Sequence, residues 1–253
     1  MLNIQEKSWS FGSQWAKAAL QELRSDIMNW IIFGLFNIGI LLFLSCIPFV
    51  GSIGTSIAPL IISGVAMRLI HEKHHNQMPM SFPTVQTELK TNGMELFGLG
   101  ALSWGLGIVA LGPILISIFG LFSMKFFWFV QELLENPSSI DDLPFITDSD
   151  ITGLVLSLFL GFVGTLVLLV GVFMATVFAP YLITIKKQKT FDAIRLSFKA
   201  VHNNPWSITS LSLWWLIYAV AGLLLCCVGI FVMTPLIQLS TYYAAEDIFR
   251  EEE

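Results

Sequence analysis

One pentapeptide, His71-Glu72-Lys73-His74-His75, has residue types and a spacing suited to metal chemistry. It matches the H-E-x-x-H pattern, in which two histidines one helical turn apart bind zinc and the glutamate activates a water molecule. His71 and His75 are therefore candidate metal ligands, and Glu72 is the candidate base of a membrane metalloprotease.

The surroundings of this pentapeptide favour a simpler interpretation. Its internal positions, Lys73 and His74, are both polar, whereas a protease helix is normally packed on both sides. Met78-Pro79 soon ends the helix, and only Glu88 is a candidate third ligand further along the chain. We interpret the segment as a solvated basic exit from a membrane span. Metal or proton sensing is the alternative, because histidine gains charge near about pH 6.5. We predict no catalytic residue and no cofactor.

The composition of the chain predicts a membrane protein. Of its 253 residues, 55% are hydrophobic and only 12% are charged, and the mean hydropathy is +0.75. A soluble domain has about 25% charged residues, whereas a membrane helix needs roughly 20 apolar residues in a row. The apolar runs are continuous rather than alternating, which favours helices over transmembrane strands. The expected fold class is all-α and polytopic.

Six apolar runs are predicted to cross the membrane: 27–47, 50–70, 96–122, 151–185, 206–225 and 228–245. The first two are joined at a tight corner, 48–51. Gly112-Pro113 interrupts the third and is predicted to bend it. The fourth would be about 52 Å long as a single helix, so it forms either one tilted helix or two short ones.

The loop charges predict the orientation. Of the 13 lysines and arginines, 12 fall on one side of the predicted spans. They are Lys7, Lys17, Arg24, Arg68, Lys73, Lys90, Lys186, Lys187, Lys189, Arg195, Lys199 and Arg250. The other side has Lys125 and an acidic insert, 131–150. Basic residues stay on the cytoplasmic side, so we predict cytoplasmic termini and a multi-pass protein of the bacterial inner membrane.

An internal repeat organises the whole chain, 1–253, as a single membrane domain. Superposing 15–73 on 191–249 aligns Trp30 with Trp206, Ile32 with Ile208 and Pro59-Leu60-Ile61 with Pro235-Leu236-Ile237. A middle copy is recognised by Ser81-Phe82 and Ala179-Pro180. The predicted units are 10–75, 81–188 and 190–249, three parallel helix pairs. Each would comprise an interfacial amphipathic helix, a span, an outer turn and a second span with proline in its cytoplasmic half.

Hydroxyl residues followed by phenylalanine predict the starts of the interfacial helices. The pairs are Ser10-Phe11, Ser81-Phe82 and Thr190-Phe191. In the third helix, Phe191, Ile194, Phe198 and Val201 share one predicted stripe, and Arg195 and Lys199 lie beside it. These helices would either lie on lipid headgroups or form a packed cytoplasmic cap.

The last third of the chain resembles a group of uncharacterised six-span bacterial inner-membrane proteins. The resemblance depends on Phe191, Ala193, Ser197, Asn204-Pro205, Pro235-Leu236, Tyr242 and Asp247-Ile248-Phe249. These proteins are similar to the YciC-like proteins and to the membrane domains of some glycerophosphodiester phosphodiesterases. The first unit departs from the pattern, because Asn29-Trp30 stands where Pro205-Trp206 would be. The resemblance implies the six-span repeat and no established activity.

Small residues four apart predict close helix packing. They are Gly153, Ser157 and Gly161, and then Gly171, Ala175 and Ala179. Packing within the chain is the favoured interpretation, and docking of another membrane protein is the alternative. Cys46 could form a disulfide with Cys226 or Cys227, or each could simply be a buried thiol.

The function expected from the sequence is non-enzymatic. Apart from Arg68, the predicted spans contain no Asp, Glu, Lys or Arg, which argues against proton-coupled transport. We expect a membrane subunit or envelope-homeostasis factor that acts through protein partners or the lipid bilayer, with no nucleic-acid partner. A small-molecule or lipid transporter without proton coupling is the alternative.

Overall fold

The computed structural model describes residues 4–48, 50–77, 81–135, 148–224 and 228–250, and every regular element in these ranges is a helix. The helices are α1 (Ser10–Ser25), α2 (Ile27–Ser45), α3 (Val50–Asn76), α4 (Phe82–Ala110), α5 (Gly112–Glu135), α6 (Asp148–Thr176), α7 (Ala179–Thr184), α8 (Thr190–Asn203), α9 (Pro205–Leu224) and α10 (Val228–Ile248).

Segments long and apolar enough to cross a membrane account for much of the described chain. They are Ile27–Ser45, Gly51–Asn76, Phe82–Gly120, Val155–Thr184 and Pro205–Leu224. The prediction of an all-helical membrane protein is therefore confirmed. The sixth predicted span corresponds to α10, which is not among these segments of the described residues. The count of six spans therefore stays a prediction.

Two of the three predicted interfacial helices are separate elements. The backbone leaves the helical conformation at Asp26 (φ −148°, ψ 52°), between α1 and α2, and at Asn204 (φ −123°, ψ 44°), between α8 and α9. Pro205 accounts for the second break, because proline disfavours helical backbone at the residue before it. The expectation of a separate helix from Phe82 is wrong. After Pro83 no proline interrupts α4, which runs unbroken into the predicted third span.

The hydroxyl N-caps expected at Ser10 and Thr190 are not formed. Each residue is the first of its helix, without a side-chain cap bond before it. At α8 a carboxylate from α4 takes this role: Glu95 Oε2 accepts the backbone N–H of Thr190 at 3.0 Å. Thr190 Oγ1 also donates to the Glu95 carbonyl oxygen at 3.0 Å. A negative charge is favourable there, because the amino end of a helix carries a partial positive charge.

The long apolar run at 151–185 forms one long helix and one short helix. α6 ends at Thr176, and α7 begins at Ala179 after a bend at residues 177–178. Pro180 lies in the first turn of α7, whereas Pro59 and Pro235 lie inside α3 and α10. The three prolines of the proposed repeat therefore have different local roles.

The predicted interruption at Gly112-Pro113 is confirmed, because α4 ends at Ala110 and α5 begins at Gly112. α5 continues to Glu135 and α6 begins at Asp148, so helices occupy both ends of the predicted acidic insert. Residues 136–147 lie outside the described residues, as do Cys226 and Cys227. Cys46 is exposed and free.

The chain forms two compact units, Met1–Trp104 with Phe173–Glu253 (unit 1) and Gly105–Val172 (unit 2). In unit 1, α10 packs on α1, α2, α3 and α9, around the buried side chains of Trp30, Phe178 and Tyr242. In unit 2, Gly161 of α6 lies so close to Ser117 of α5 that a Cβ at this glycine would overlap the serine hydroxyl.

The contact face of α8 differs from the predicted stripe. Small side chains face the core of unit 1 instead: Thr190, Ala193, Ser197 and Ala200 are buried, together with Val201. Small residues let the helix approach its neighbours closely, so the large rings of Phe191 and Phe198 lie on the exposed side.

Candidate functional site: the histidine cluster between α3 and α10

The two candidate metal-binding histidines contact α10. His71 and His75 lie one turn apart on α3, and Tyr242 and Glu246 lie one turn apart on α10, so two side chains of each helix face each other. His71 Nδ1 is 3.0 Å from Tyr242 Oη, and His75 Nε2 is 2.7 Å from Glu246 Oε1. The Tyr242 hydroxyl donates to Glu246 Oε1 at 3.3 Å. We call these four residues the α3–α10 cluster.

The α3–α10 cluster is a closed set of contacts. The rings of His71 and His75 have their centroids 4.5 Å apart, so the two histidines also contact each other on α3. The inner end of the cluster is buried at Tyr242, whereas His75 is exposed. The polar groups of the cluster therefore bond to one another, and these contacts hold α3 against α10.

The candidate base is engaged elsewhere on α3. Glu72 forms an ion pair with Arg68 and accepts a hydrogen bond from Asn76, its neighbours one turn before and after. Glu88, the candidate third ligand, is buried on α4 and accepts a hydrogen bond from Asn92. In the part of the chain that the structure describes, no three His, Cys, Asp or Glu side chains are placed to hold a metal ion.

Lys73, the lysine of the pentapeptide, connects α3 to α1 and to Asp26 between α1 and α2. Lys73 Nζ lies 2.9 Å from Glu22 Oε1 and 2.9 Å from Asp26 Oδ2, and 5.6 Å from the centre of the Trp30 ring. The hydrogen bond from Lys73 lowers the pKa of the Asp26 carboxyl below its ordinary value. The charged side chains of Glu72 and Lys73 are therefore paired within the protein rather than simply solvated.

Asp247 and Asn204 are two of the residues on which the family resemblance depends, here called the signature residues. They join α1 and the N-terminal segment to the rest of unit 1. Trp15 Nε1 of α1 donates to Asp247 Oδ2 of α10 at 2.7 Å. The Asn204 side chain accepts the backbone N–H of Lys7 at 2.6 Å and donates to the carbonyl oxygen of Gln5 at 3.1 Å. Asn204 thus ends α8 and also holds the segment before α1.

A third signature residue stabilises the bend between α6 and α7. Ser197 Oγ of α8 accepts the backbone N–H of Phe178 at 3.1 Å and donates to the Met174 carbonyl oxygen at 2.8 Å. A bend leaves backbone groups without helical partners, and this one hydroxyl satisfies two of them. The side chains of Ser197, Asn204, Tyr242 and Asp247 therefore all link separate helices or segments.

Sequence reasoning found the histidines but missed Tyr242 and Glu246 as their partners. The available signal was their spacing of four on one helix, which places them on a common face. Nothing local connects that face to α3, because the contacting residues are 171 positions apart in the chain.

The small residues predicted to pack against other helices differ in whether the protein covers them. Gly161 packs against Ser117 inside unit 2, and Ala175 and Ala179 are buried, so all three are covered within the protein. A Cβ at Gly153 or Gly171 would meet no atom within 4 Å. Of the glycines in these two runs of small residues, Gly153 and Gly171 leave room for another helix.

Over the described residues the fold is all-helical, with helices long and apolar enough to cross a membrane, and His71, His75 and Asp247 take part in contacts between separate helices. Comparison of the chain with protein-family models, curated proteins and solved structures finds no match.

Proposed function

We propose that this chain is a non-enzymatic membrane subunit or envelope-homeostasis factor of the bacterial inner membrane, acting through protein partners or lipids. The observation that carries the proposal is the α3–α10 cluster. His71 and His75, the residues best suited to chemistry, are hydrogen-bonded to Tyr242 and Glu246, and Glu72 is paired with Arg68. These groups support the fold of unit 1 rather than an open catalytic cleft.

The proposal includes six spans arranged as three parallel helix pairs, with both termini in the cytoplasm. Support comes from the matching order of α1–α2–α3 and α8–α9–α10: a short amphipathic helix, a long apolar helix and a second long helix with an internal proline. The 12-to-1 distribution of basic residues supports the orientation.

The exposed surface of α6 supports a role in association. Large apolar side chains are exposed in consecutive positions of this helix: Leu166, Val167, Leu168, Leu169 and Val170. Consecutive positions point in different directions around a helix, so this part of α6 is apolar and exposed on several sides. Lipid or a partner helix must cover such a surface.

Affinity purification from gently solubilised native membranes tests the proposal. We expect a protein to copurify in a fixed ratio, and Gly153→Leu with Gly171→Leu to weaken its capture by filling the open positions on α6. Gly120→Leu is the matched control, because a Cβ at Gly120 of α5 also meets no atom within 4 Å. The proposal is contradicted if the wild-type preparation contains no protein and no lipid at fixed stoichiometry.

Passive transport is the second candidate function, and two buried groups favour it. Trp30 Nε1 and Gln238 Oε1 are buried without a hydrogen-bond partner among the described residues, on α2 and α10, which pack together. Unpaired buried polar groups are costly, and a small polar solute would satisfy them. After replacement of the native cysteines, Gln238→Cys should react with a water-soluble thiol reagent, whereas Leu239→Cys, also buried, should not. Equal protection of both would contradict transport.

A further inference from the structure

The exposed side of α8 combines aromatic and basic residues in a single stripe. Five exposed residues lie on one face of the helix, at offsets of 0, 4, 7, 8 and 11 from the first. They are Phe191, Arg195, Phe198, Lys199 and His202. Trp206, in the first turn of α9 just after α8, is 71% exposed. We call these six residues the α8 face. The small residues that pack on the core of unit 1 lie on the opposite side of the helix.

The position of α8 places this face at the membrane surface. α8 ends at Asn203, and the candidate membrane span formed by α9 begins at Pro205. With only Asn204 between them, α8 cannot lie far from the level at which α9 enters the bilayer. Lys187 and Lys189, just before α8, are also exposed.

The side chains of the α8 face suit the boundary between headgroups and acyl chains. Phe191 and Phe198 are 68% and 44% exposed, and rings of this size are unfavourable in water. Tryptophan and phenylalanine are favourable at the membrane interface, where lysine and arginine attract anionic lipids. Asp192 lies at the edge of the face and reduces its positive charge without reversing it.

α1 provides an internal comparison, because it also precedes a candidate span. Its exposed positions are polar: Gln14, Lys17, Gln21 and Arg24. Of its two aromatic residues, Trp15 is buried and bonded to Asp247, and Phe11 is partly buried. Basic residues next to a span are therefore common to both helices, whereas of these two helices only α8 has exposed aromatic rings among its own residues.

We propose that the α8 face binds the headgroups of anionic phospholipids in the leaflet on its side of the membrane. This inference rests on the proposed function in one respect, that the chain acts in a lipid bilayer. Arg195 and Lys199 bind the lipid phosphates, and Phe191, Phe198 and Trp206 insert among the first carbons of the acyl chains. The selectivity is for headgroup charge and not for one particular lipid.

Native mass spectrometry of the full-length protein in detergent, titrated with phosphatidylglycerol, tests this binding. Each basic side chain near an anionic surface contributes roughly fivefold in affinity, so Arg195→Gln with Lys199→Gln should weaken phosphatidylglycerol binding about 25-fold. The matched control is Lys17→Gln with Arg24→Gln, which removes one lysine and one arginine from the exposed side of α1. It should weaken phosphatidylglycerol binding less than the α8 variant does, because the exposed positions of α1 have no aromatic ring to insert among the acyl chains.

Further measurements identify the ligand of the α8 face as a phospholipid. Phosphatidylcholine should bind the wild type more weakly than phosphatidylglycerol, and soluble glycerol phosphate should not compete. Phe191→Ser with Phe198→Ser should also lower phosphatidylglycerol affinity, without lowering the melting temperature, because both rings are exposed.

The inference is overturned by any of three results: unchanged affinity in the Arg195–Lys199 variant, an equal loss in the α1 control, or full competition by glycerol phosphate. Because lipid binding is measured on the purified chain, it is independent of partner capture. Selective lipid binding without a copurifying protein would remove the proposed subunit role and leave this inference intact, and the reverse outcome would remove only this inference.

Discussion

The Tyr242 hydroxyl lies 3.0 Å from His71 Nδ1, and this contact joins two helices whose residues are 171 positions apart in the chain. The same hydroxyl donates to Glu246, which in turn bonds to His75. Tyr242 is therefore the buried centre of the contacts through which the H-E-x-x-H segment supports the fold.

Removal of this hydroxyl should destabilise the protein. Tyr242→Phe keeps the buried ring but loses the bonds to His71 and Glu246, at a cost of about 1–2 kcal/mol. The apparent melting temperature in detergent should fall by several degrees. Tyr243→Phe is the matched control: Tyr243 packs against His74 through its ring, and the structure gives its hydroxyl no role, so its melting temperature should stay close to wild type. Equal effects of the two variants would contradict the role of Tyr242.

A close approach between α2 and α10 gives a second prediction. A Cβ at Gly34 would overlap the carbonyl oxygen of Phe231, so Gly34→Ala must push α2 away from α10. We expect destabilisation of about 1–3 kcal/mol or more, as for other overpacked sites. Gly39→Ala on the same helix meets no atom within 4 Å and should be neutral or stabilising. Thermal unfolding of the two variants side by side measures this difference, and a stable Gly34→Ala protein would show that the packing is wrong.

The Lys73–Asp26 contact predicts a pH dependence of stability. Because the folded-state pKa of Asp26 is lowered, its contribution is fully present above the ordinary carboxyl pKa and is lost as pH falls through the lowered value. Asp26→Asn should therefore lower the melting temperature at pH 6–7, and the difference from wild type should shrink below about pH 4. Asp192→Asn, at an exposed position, is the control. A difference that stays constant down to pH 3 would exclude this linkage.

The proposed orientation predicts the activity of alkaline phosphatase fusions, which are active only outside the cytoplasm. Fusions after Ser139 should be active, and fusions after Gln77 or Gln188 should be inactive, because basic residues border the latter two positions. Activity assays on intact cells, with immunoblots as the control for expression, measure this. The reverse pattern would contradict the orientation and the cytoplasmic termini.

Helix boundaries were predictable where the chain carries a local signal. Asn204-Pro205 predicts the end of α8, since proline restricts the residue before it. Gly112-Pro113 predicts the start of α5, since proline is tolerated in the first turn of a helix. Where such a signal is absent the prediction was wrong: no proline follows Pro83 in α4, so the helix from Phe82 continues into the apolar run.

Contacts between distant segments were not predictable from local patterns. Glu95 caps α8 from 95 positions away in the chain, in place of the hydroxyl cap expected at Thr190. The burial of Ala193 rather than Phe191 depends on how closely α8 packs, which spacing alone does not specify. For the same reason the sequence identified His71 and His75 but not Tyr242, which defines their role.

The metal content of the purified protein, with activity assayed in parallel, tests the central claim most directly. The claim is that His71 and His75 hold α3 against α10, and that Glu72 pairs with its neighbours on α3, rather than that these three residues catalyse a reaction. Elemental analysis after equilibration with zinc should find no stoichiometric metal in the wild type. His71→Ala with His75→Ala should lower the melting temperature, and Glu72→Gln should have no effect on any peptidase activity. Stoichiometric zinc in the wild type that is lost in the double histidine variant, together with peptidase activity abolished by Glu72→Gln, would contradict the account.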